Sequence, residues 1–590
     1  MTGSSSSPTT FHVACSGSDS NPGSLESPFR TIQYAAEQAQ PGDTVLVHAG
    51  IYREQIQPPR SGMEDAPICF QAAGDGEVIL KGSEQIQDWE HVEGDLWQAC
   101  LPNRFFGNYN PYAVEVAGDW FRPLPAPDRV FHTGAVYLKG HWLTEAASKQ
   151  DLLNGELGWF GEVDEENTTL YARFGNENPN EVLVEINVRE TVFYPKLPGI
   201  HYIQVKGFCM EQAACNWAPP TAEQVALIGT HWSRGWVIED NCIRYAMCCG
   251  ISLGKYGDEW DNRAESAEGY VGTIKRAHAQ GWAKGRIGHH LVRNNEISHC
   301  EQAGIVGSMG CSFSQITENH VHHINQRGLF SGEEMAGIKF HGAIDTCIDQ
   351  NHVHDCCGFG GLWLDWMSQG TRVTRNLFHD NVGQDLFVEV NHGPFLVDHN
   401  LFLSGKCLLE SSGGGAYAHN LFAGDIVLRE EPDRETPCHP PHSTEILKLA
   451  KVIGDDERFI NNVFSGGKGL SGYAAWNPEH LAADGNLYLG TAQPSPVDRH
   501  ARHLSSAEVD IAWQEDRLTL TMPENPEQGR SLVSTERLGL AIHAQAPYVD
   551  AEGRPYRLDT DYFWQPHDID APRSGPFASG STHRISLGKD

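Results

Sequence analysis

Residues 376–402 read NLFHDNVGQDLFVEVNHGPFLVDHNLF, so the phrase Asn376-Leu-Phe returns 24 residues later as Asn400-Leu-Phe. The same phrase, an Asn, any residue and an apolar residue, also occurs as Asn241-Cys-Ile, Asn295-Glu-Ile, Asn319-His-Val and Asn351-His-Val. It goes on as Asn420-Leu-Phe, Asn462-Val-Phe and Asn486-Leu-Tyr. Several steps are 20 to 25 residues, and the longer ones read as a coil carrying an insertion. Short strands at such a period, with a turn residue at a fixed place, are the mark of stacked parallel coils. Asn suits the turn because it tolerates the left-handed conformation, and its amide can bond the Asn of the next coil. Leucine-rich repeats share the period, but their leucine spacing is absent. The expected fold is all-β, a right-handed parallel β-helix with an inserted β-sandwich domain.

Upstream, Thr31 to Ala39 reads as one amphipathic helix with Ile32, Ala35, Ala36 and Ala39 on its apolar face, ended by Pro41-Gly-Asp. A helix laid over the open end of a coil covers unpaired strand edges. Residues 88–189 lack the Asn phrase and carry alternating, aromatic-bearing stretches such as Tyr112-Ala-Val-Glu-Val and Thr169-Leu-Tyr-Ala-Arg-Phe, which read as the sandwich. The expected plan is therefore a cap and first coils over 1–87, the sandwich over 88–189, the main β-helix over 190–500 and a C-terminal cap over 501–590. Strand-like Leu518-Thr-Leu-Thr-Met lies in that cap. Residues 254–290 and 424–458 read as polar loops between coils, placed to shape a cleft.

Composition narrows the function. With 43 basic against 77 acidic residues the formal charge is −34, which repels nucleic acid and anionic lipid and suits a neutral substrate. No stretch reaches the roughly 18 apolar residues of a membrane span. Met1 to Thr10 is small and polar, without the basic start and apolar stretch of a secretory signal. The 15 cysteines are irregularly spaced and partly adjacent (Cys248-Cys249, Cys356-Cys357), which reads as reduced thiols in a cytoplasmic protein. With no C-x-x-C pair, neither metal nor cofactor is expected. His322, His323, His352 and His354 fall at turn positions of the repeat and read as stacked or solvated rather than as metal ligands.

Aligned on the strand before each Asn phrase, three coils read Ile338-Lys-Phe-His341, Leu362-Trp-Leu-Asp365 and Leu386-Phe-Val-Glu389, at a spacing of 24 residues. Strand side chains alternate faces. Ile338, Phe340, Leu362, Leu364, Leu386 and Val388 therefore point into the coil. His341, Asp365 and Glu389 form a column on the other face, with Lys339, Trp363 and Phe387 beside it. Like charges near 5 Å resist joint ionisation, so one carboxyl pKa is expected to rise. A glycosidase needs one ionised and one protonated carboxyl. Adjacent coils match the carboxyl spacing of about 5–5.5 Å found in retaining enzymes, against about 6.5–9.5 Å in inverting ones. Glu410, in the next and shorter coil, is a second candidate partner for Glu389.

The segment Gly360-Gly-Leu-Trp-Leu-Asp365-Trp, followed by Leu386-Phe-Val-Glu389-Val-Asn-His-Gly-Pro, resembles the β-xylosidases of glycoside hydrolase family 120. The cap and the early sandwich fit that family too. The resemblance implies a retaining exo-enzyme that releases xylose from short xylo-oligosaccharides, with Asp365 as nucleophile and Glu389 as acid/base. Trp363 or Trp366 is expected as a sugar platform, both counted as substrate-binding, with His341, Lys339, Phe387, Asn391 and His392 as further substrate-binding residues. A homo-oligomer is expected, because loops of a neighbouring subunit often wall off such a pocket. Rival readings are a sister β-helix glycosidase with another sugar, a polysaccharide lyase or uronate epimerase, and a non-catalytic sugar-binding protein. The modest basic content near the column argues against a lyase, and the absence of Asn-Thr-Asp and Arg-Ile-Lys motifs argues against a polygalacturonase.

Overall fold

The computed structural model describes residues 7–155, 157–452, 454–472, 481–523 and 531–587. Parts of all four expected regions thus lie outside the described residues, namely 1–6 at the N-terminus, 156 in the sandwich, 453 and 473–480 in the main β-helix, and 524–530 and 588–590 in the C-terminal cap. The chain forms two compact units, one made of Met1–Glu265, Asn294–Gly307 and His323–Met335, the other of Ser266–Arg293, Ser308–His322 and Ala336–Asp590. Both are built from coils of a right-handed parallel β-helix.

In the second unit the coils up to the strand Asp425–Leu428 pass through three parallel sheets in turn, and the later coils through two. One coil runs through Cys347–Asp349, His352–Cys356 and Gly360–Asp365, and the next through Arg372–Thr374, Leu377–His379 and Gln384–Glu389. Pairing is in register on all three faces, for example Ile348 with Val373, Val353 with Phe378 and Leu362 with Leu386. Like residues therefore stack. Phe378, Phe402, Phe422, Phe464 and Tyr488, each two residues past its Asn, form a continuous pile with ring centroids 5.1–5.3 Å apart.

The repeated asparagines are wholly buried and linked. The amide nitrogens of Asn351, Asn376, Asn400 and Asn420 donate to the side-chain oxygen of the next Asn at 2.9–3.0 Å. Asn376 also donates to Ile348 O, and Asn400 to Val373 O, both in the preceding coil and both at 2.9 Å. The left-handed residue of the turn is not the Asn, as its conformational tolerance led one to expect, but the residue before it: Gln350, Arg375, His399 and His419 have φ of 55–56°. That residue bends the chain and lets the Asn side chain turn inward to the ladder.

The first unit repeats this plan and, after the strand Thr10–Val13, carries the helix Ile32–Gln38, N-capped by Thr31, with Ile32, Ala35, Ala36 and Ala39 buried as the helical spacing requires. It also contains two four-stranded antiparallel sheets. One comprises Ser83–Gln85, Val184–Asn187, Val136–Leu138 and His141–Trp142, the other Glu90–Glu93, Leu96–Pro102, Asn167–Arg173 and Trp159–Val163. Trp89, Phe106, Tyr112, Trp159, Leu170 and Ile186 fill the space between them. Tyr112-Ala-Val-Glu-Val is not a strand: only Glu115 makes a bridge, to His132, and Tyr112 is a core anchor whose hydroxyl donates to Ala135 O.

Two other expectations are corrected in the second unit. The stretch read as a polar loop over 254–290 contains the helix Ala267–Ala279, capped by Ser266, which buries Tyr270, Val271 and Ile274. The 424–458 insertion folds into a hairpin of Glu435–Cys438 with Lys448–Lys451, and the helix packs on it. At the C-terminal end a three-stranded sheet, Asp510–Gln514, Arg517–Thr521 and Thr582–Ser586, buries Leu518, Leu520 and Ile585 against Leu401, Leu421, Val463 and Leu487.

The ladder makes a quantitative expectation. Asn400→Ala removes the acceptor for two N–H groups of Asn376 and the donor to Val373 O, all in a buried site. Each buried group left unpaired costs about 1–3 kcal/mol, so urea unfolding is expected to report a loss of about 3 kcal/mol or more. A change within about 0.5 kcal/mol, as for a surface substitution, would contradict the role given to the ladder.

Candidate active site

Three adjacent strands of the second unit, Ala336–His341, Gly360–Asp365 and Gln384–Glu389, carry the site. Their register pairs His341 with Asp365 and Asp365 with Glu389, and Lys339 with Trp363 and Trp363 with Phe387. The two carboxylates therefore stand on neighbouring coils, at the strand spacing of about 4.8 Å. Ile338, Phe340, Leu362, Leu364, Leu386 and Val388 are buried in the coil interior beneath them.

Each carboxylate has its own set of donors. The Lys339 ammonium donates to Asp365 Oδ2 at 2.6 Å, His341 Nε2 lies 3.4 Å from the same oxygen, and the Trp366 backbone N–H donates to Oδ1 at 3.0 Å. Glu389 Oε1 accepts from Arg429 and Arg434, each at 2.8 Å, while its Oε2 accepts from the Trp363 indole N–H at 3.2 Å. Tyr270, on the helix Ala267–Ala279, sets its ring edge-on 5.0 Å from both His341 and Trp366.

These environments drive the two acids apart. Burial pushes Asp365 up, but the Lys339 charge and then that of His341 outweigh it and leave its carboxyl below the usual range. Glu389 is raised to about 7, by burial and by the negative charge of Asp365, against the opposing pull of Arg434, Lys339 and Arg429. The asymmetry has a physical cause. The Lys339 side chain is fully buried, whereas those of Arg429 and Arg434 are 41 % and 28 % exposed, so water screens them. At neutral pH the site holds one ionised carboxylate beside one carboxyl that readily keeps or gives up a proton.

Comparison with known proteins bears on this geometry. A solved structure of XylC in complex with xylose is 39 % identical in sequence, with a TM-score of 0.92, over 98 % of this chain and 100 % of that one. The model of the glycoside hydrolase 120 insertion domain matches residues 86–158. This chain belongs to glycoside hydrolase family 120. The model of the right-handed β-helix region matches residues 271–425, and a model of unknown function, DUF1565, matches residues 15–70. Two curated proteins match over short stretches. YwoF of Bacillus subtilis, described as uncharacterized, is 38 % identical over 81 residues, 14 % of this chain and 17 % of its own. Pectate lyase PEL9 of Emericella nidulans is 35 % identical over 76 residues, 12 % of this chain and 18 % of its own. The matched stretch thus spans less than a fifth of either curated relative.

In this family 120 chain several residues expected at the site stand elsewhere or act differently. Trp363 has no open face: Lys339 Nζ sits 3.3 Å above its ring centre and Phe387 stacks below at 4.8 Å. A residue in the middle of an in-register column is covered by the coils on either side, so Trp363 and Phe387 are packing elements rather than sugar platforms. Asn391 is a corner asparagine, its amide donating to Leu364 O and its oxygen accepting from Ser368 N–H. His392 is buried against Thr436 on the hairpin. Neither joins the carboxylates. Trp366 is buried against Tyr270. Glu410 pairs in register with Val388 and so faces the coil interior, where it accepts from the Tyr417 hydroxyl and the Ser412 N–H, and burial raises it to about 8. It cannot partner Glu389, because alternation puts them on opposite faces of the sheet. Arg429 and Arg434 were not foreseen. Arg429 directly follows the strand Asp425–Leu428 of the same sheet, in the column that pairs Glu389 with Ser411, while Arg434 lies beyond it in the inserted segment, and together they make the column more basic than its three central strands imply.

Carbon-13 NMR titration of the carboxyl groups is expected to place Glu389 at about 7 and Asp365 below the ordinary range. Arg434→Leu removes a charge that favours the ionised form, so it is expected to raise the Glu389 midpoint further. A Glu389 midpoint near the ordinary value of about 4.3 would refute the electrostatics described.

Proposed function

We propose that this protein is a retaining, exo-acting β-xylosidase that releases xylose from short xylo-oligosaccharides. The observation that carries the reading is the divided carboxyl pair, with Asp365 held ionised by Lys339 and Glu389 raised to about 7 on the adjoining coil. The likeness over nearly the whole chain to XylC, solved with xylose, supports the choice of sugar. A formal charge of −34 suits a neutral substrate. Exo action is supported by the cover over the column: the helix Ala267–Ala279 contributes Tyr270 on one side and the 424–458 insertion contributes Arg429 and Arg434 on the other. Such cover suits a chain end better than a polymer lying across the strands.

In the proposed reaction Asp365 attacks the anomeric carbon while Glu389 passes its proton to the leaving oxygen, and the glycosidic bond breaks. The glycosyl ester on Asp365 is then hydrolysed by a water that Glu389, now ionised, deprotonates. Loss of the Asp365 charge on forming the ester removes one of the influences that raise Glu389, so its pKa falls as its role changes from acid to base. Lys339 and His341 steady the nucleophile. Arg429 and Arg434 hold Glu389 in place and stabilise it when it is ionised.

Three measurements on one substrate series test the proposal. With nitrophenyl β-xyloside, Asp365→Asn is expected to abolish turnover. Glu389→Gln is expected to lose roughly 10²–10⁴-fold on xylobiose but less on the nitrophenyl substrate, whose leaving group needs little protonation. Proton NMR of the first-formed xylose is expected to show the β-anomer. First-formed α-xylose would sink retention, release of another sugar would sink the specificity, and unsaturated, ultraviolet-absorbing products would make the protein a lyase.

A further inference from the structure

On a different sheet from the carboxylates, five imidazoles gather on the outer face of successive coils: His320 and His322, then His352 and His354, then His379. Val321, Val353 and Phe378 alternate with them and fill the interior. The rings stack from coil to coil, His320 on His352 with centroids 4.7 Å apart and His354 on His379 at 4.6 Å. Stacking alone does not explain how their nitrogens are aimed. His320 Nε2 lies 2.8 Å from His354 Nε2, and His352 Nε2 lies 2.7 Å from His379 Nε2.

We propose that this cluster binds a divalent cation of the zinc, nickel and copper class, through the Nε2 atoms of His320, His352, His354 and His379. The decisive feature lies on the far side of two of the rings. His354 Nδ1 is 2.6 Å from Asp355 Oδ2, and His379 Nδ1 is 2.7 Å from Asp380 Oδ2. A carboxylate accepts, so each Nδ1 carries the proton and each Nε2 presents a lone pair to the cluster. A carboxylate that fixes the tautomer of a histidine in this way is the usual support of a metal-bound imidazole.

The spacing agrees. Ligand atoms of His320, His352 and His354 all lie within 4.8 Å of one another, and His379 joins this group through the 2.7 Å approach of its Nε2 to His352 Nε2. Zinc–nitrogen bonds of about 2.0–2.1 Å in a tetrahedral site separate two nitrogens by about 3.3 Å, so the paired nitrogens need to part by well under an ångström. Two nitrogens this close require something electropositive between them. In the protein alone that is a proton on His320 and on His352; with a cation bound, those protons sit on Nδ1 instead and all four Nε2 lone pairs face the metal. An all-imidazole donor set selects zinc, nickel or copper over calcium and magnesium. Drawn from three successive coils, it would act as a clip across them.

The test uses the full chain, free of any affinity tag and dialysed against chelator. Titration with Co²⁺ is expected to give a visible d–d band of tetrahedral intensity at one equivalent, displaced by Zn²⁺ and not by Ca²⁺. His354→Ala with His379→Ala is expected to abolish the band. Asp355→Asn with Asp380→Asn, which keeps every imidazole, is expected to weaken Zn²⁺ affinity by about 10–100-fold in calorimetry. Hydrolysis of the nitrophenyl xyloside by the same variants, or their circular dichroism, reports whether they are folded. Absence of both the band and a heat of Zn²⁺ binding in the wild-type protein would overturn the proposal. So would an affinity unchanged in the folded double-alanine variant.

Discussion

An asparagine amide that donates backward to one coil and forward to the next fixes where every other side chain stands. In the second unit Asn376 bonds Ile348 O behind it and the Asn400 oxygen ahead, and Asn400 repeats the pattern with Val373 O and Asn420. These groups are buried, so a shift by one residue would leave several of them unpaired, at about 1–3 kcal/mol apiece. It would also turn each apolar strand face outward. Register is thereby held on all three sheets, including the one that carries Asp365 and Glu389.

Fixed register converts sequence identity into columns, and columns have a chemistry of their own. Apolar columns are favourable and tolerant, as in the pile from Phe378 to Tyr488. A column of acids is not. Asp365 and Glu389 sit one strand spacing apart with little water, and the conflict is settled by keeping one ionised against a buried lysine and leaving the other near neutrality in proton affinity. The histidine column meets the opposite problem, lone pairs and protons crowded among five rings, and meets it with carboxylates placed on the outer nitrogens. Both arrangements follow from one rule: identical spacing forces unlike solutions at each column.

The insertions supply what a column cannot. Residues on a coil strand see only their neighbours above, below and in front; Glu389 draws one cation, Arg429, from its own column two coils on, and the other, Arg434, from outside the repeat. Arg434 lies in the inserted segment, and the helix bearing Tyr270 packs on His341 and Trp366. Because the two arginines stay partly in water, they hold Glu389 without fully suppressing its raised pKa. Deep burial of the same guanidinium groups would have pulled the acid down and left two anions at the site.

The sequence by itself determined the coil repeat, the inward and outward faces of the three strands, and the adjacency of His341, Asp365 and Glu389, because an Asn at a constant offset and strand alternation are local properties that survive without coordinates. It left Glu410 as a rival partner, since the short coil made the register uncertain by one residue, and one residue changes the face. Only the tertiary structure decided that Glu410 points inward, that Trp363 is covered on both faces, that Asn391 and His392 serve corners and packing, and that Arg429, Arg434 and Tyr270 reach the carboxylates. Those outcomes depend on which segments fold over the column and on what stacks directly above and below a ring. No periodicity along the chain encodes either, because the contacts join residues whose spacing is set by insertions rather than by the repeat.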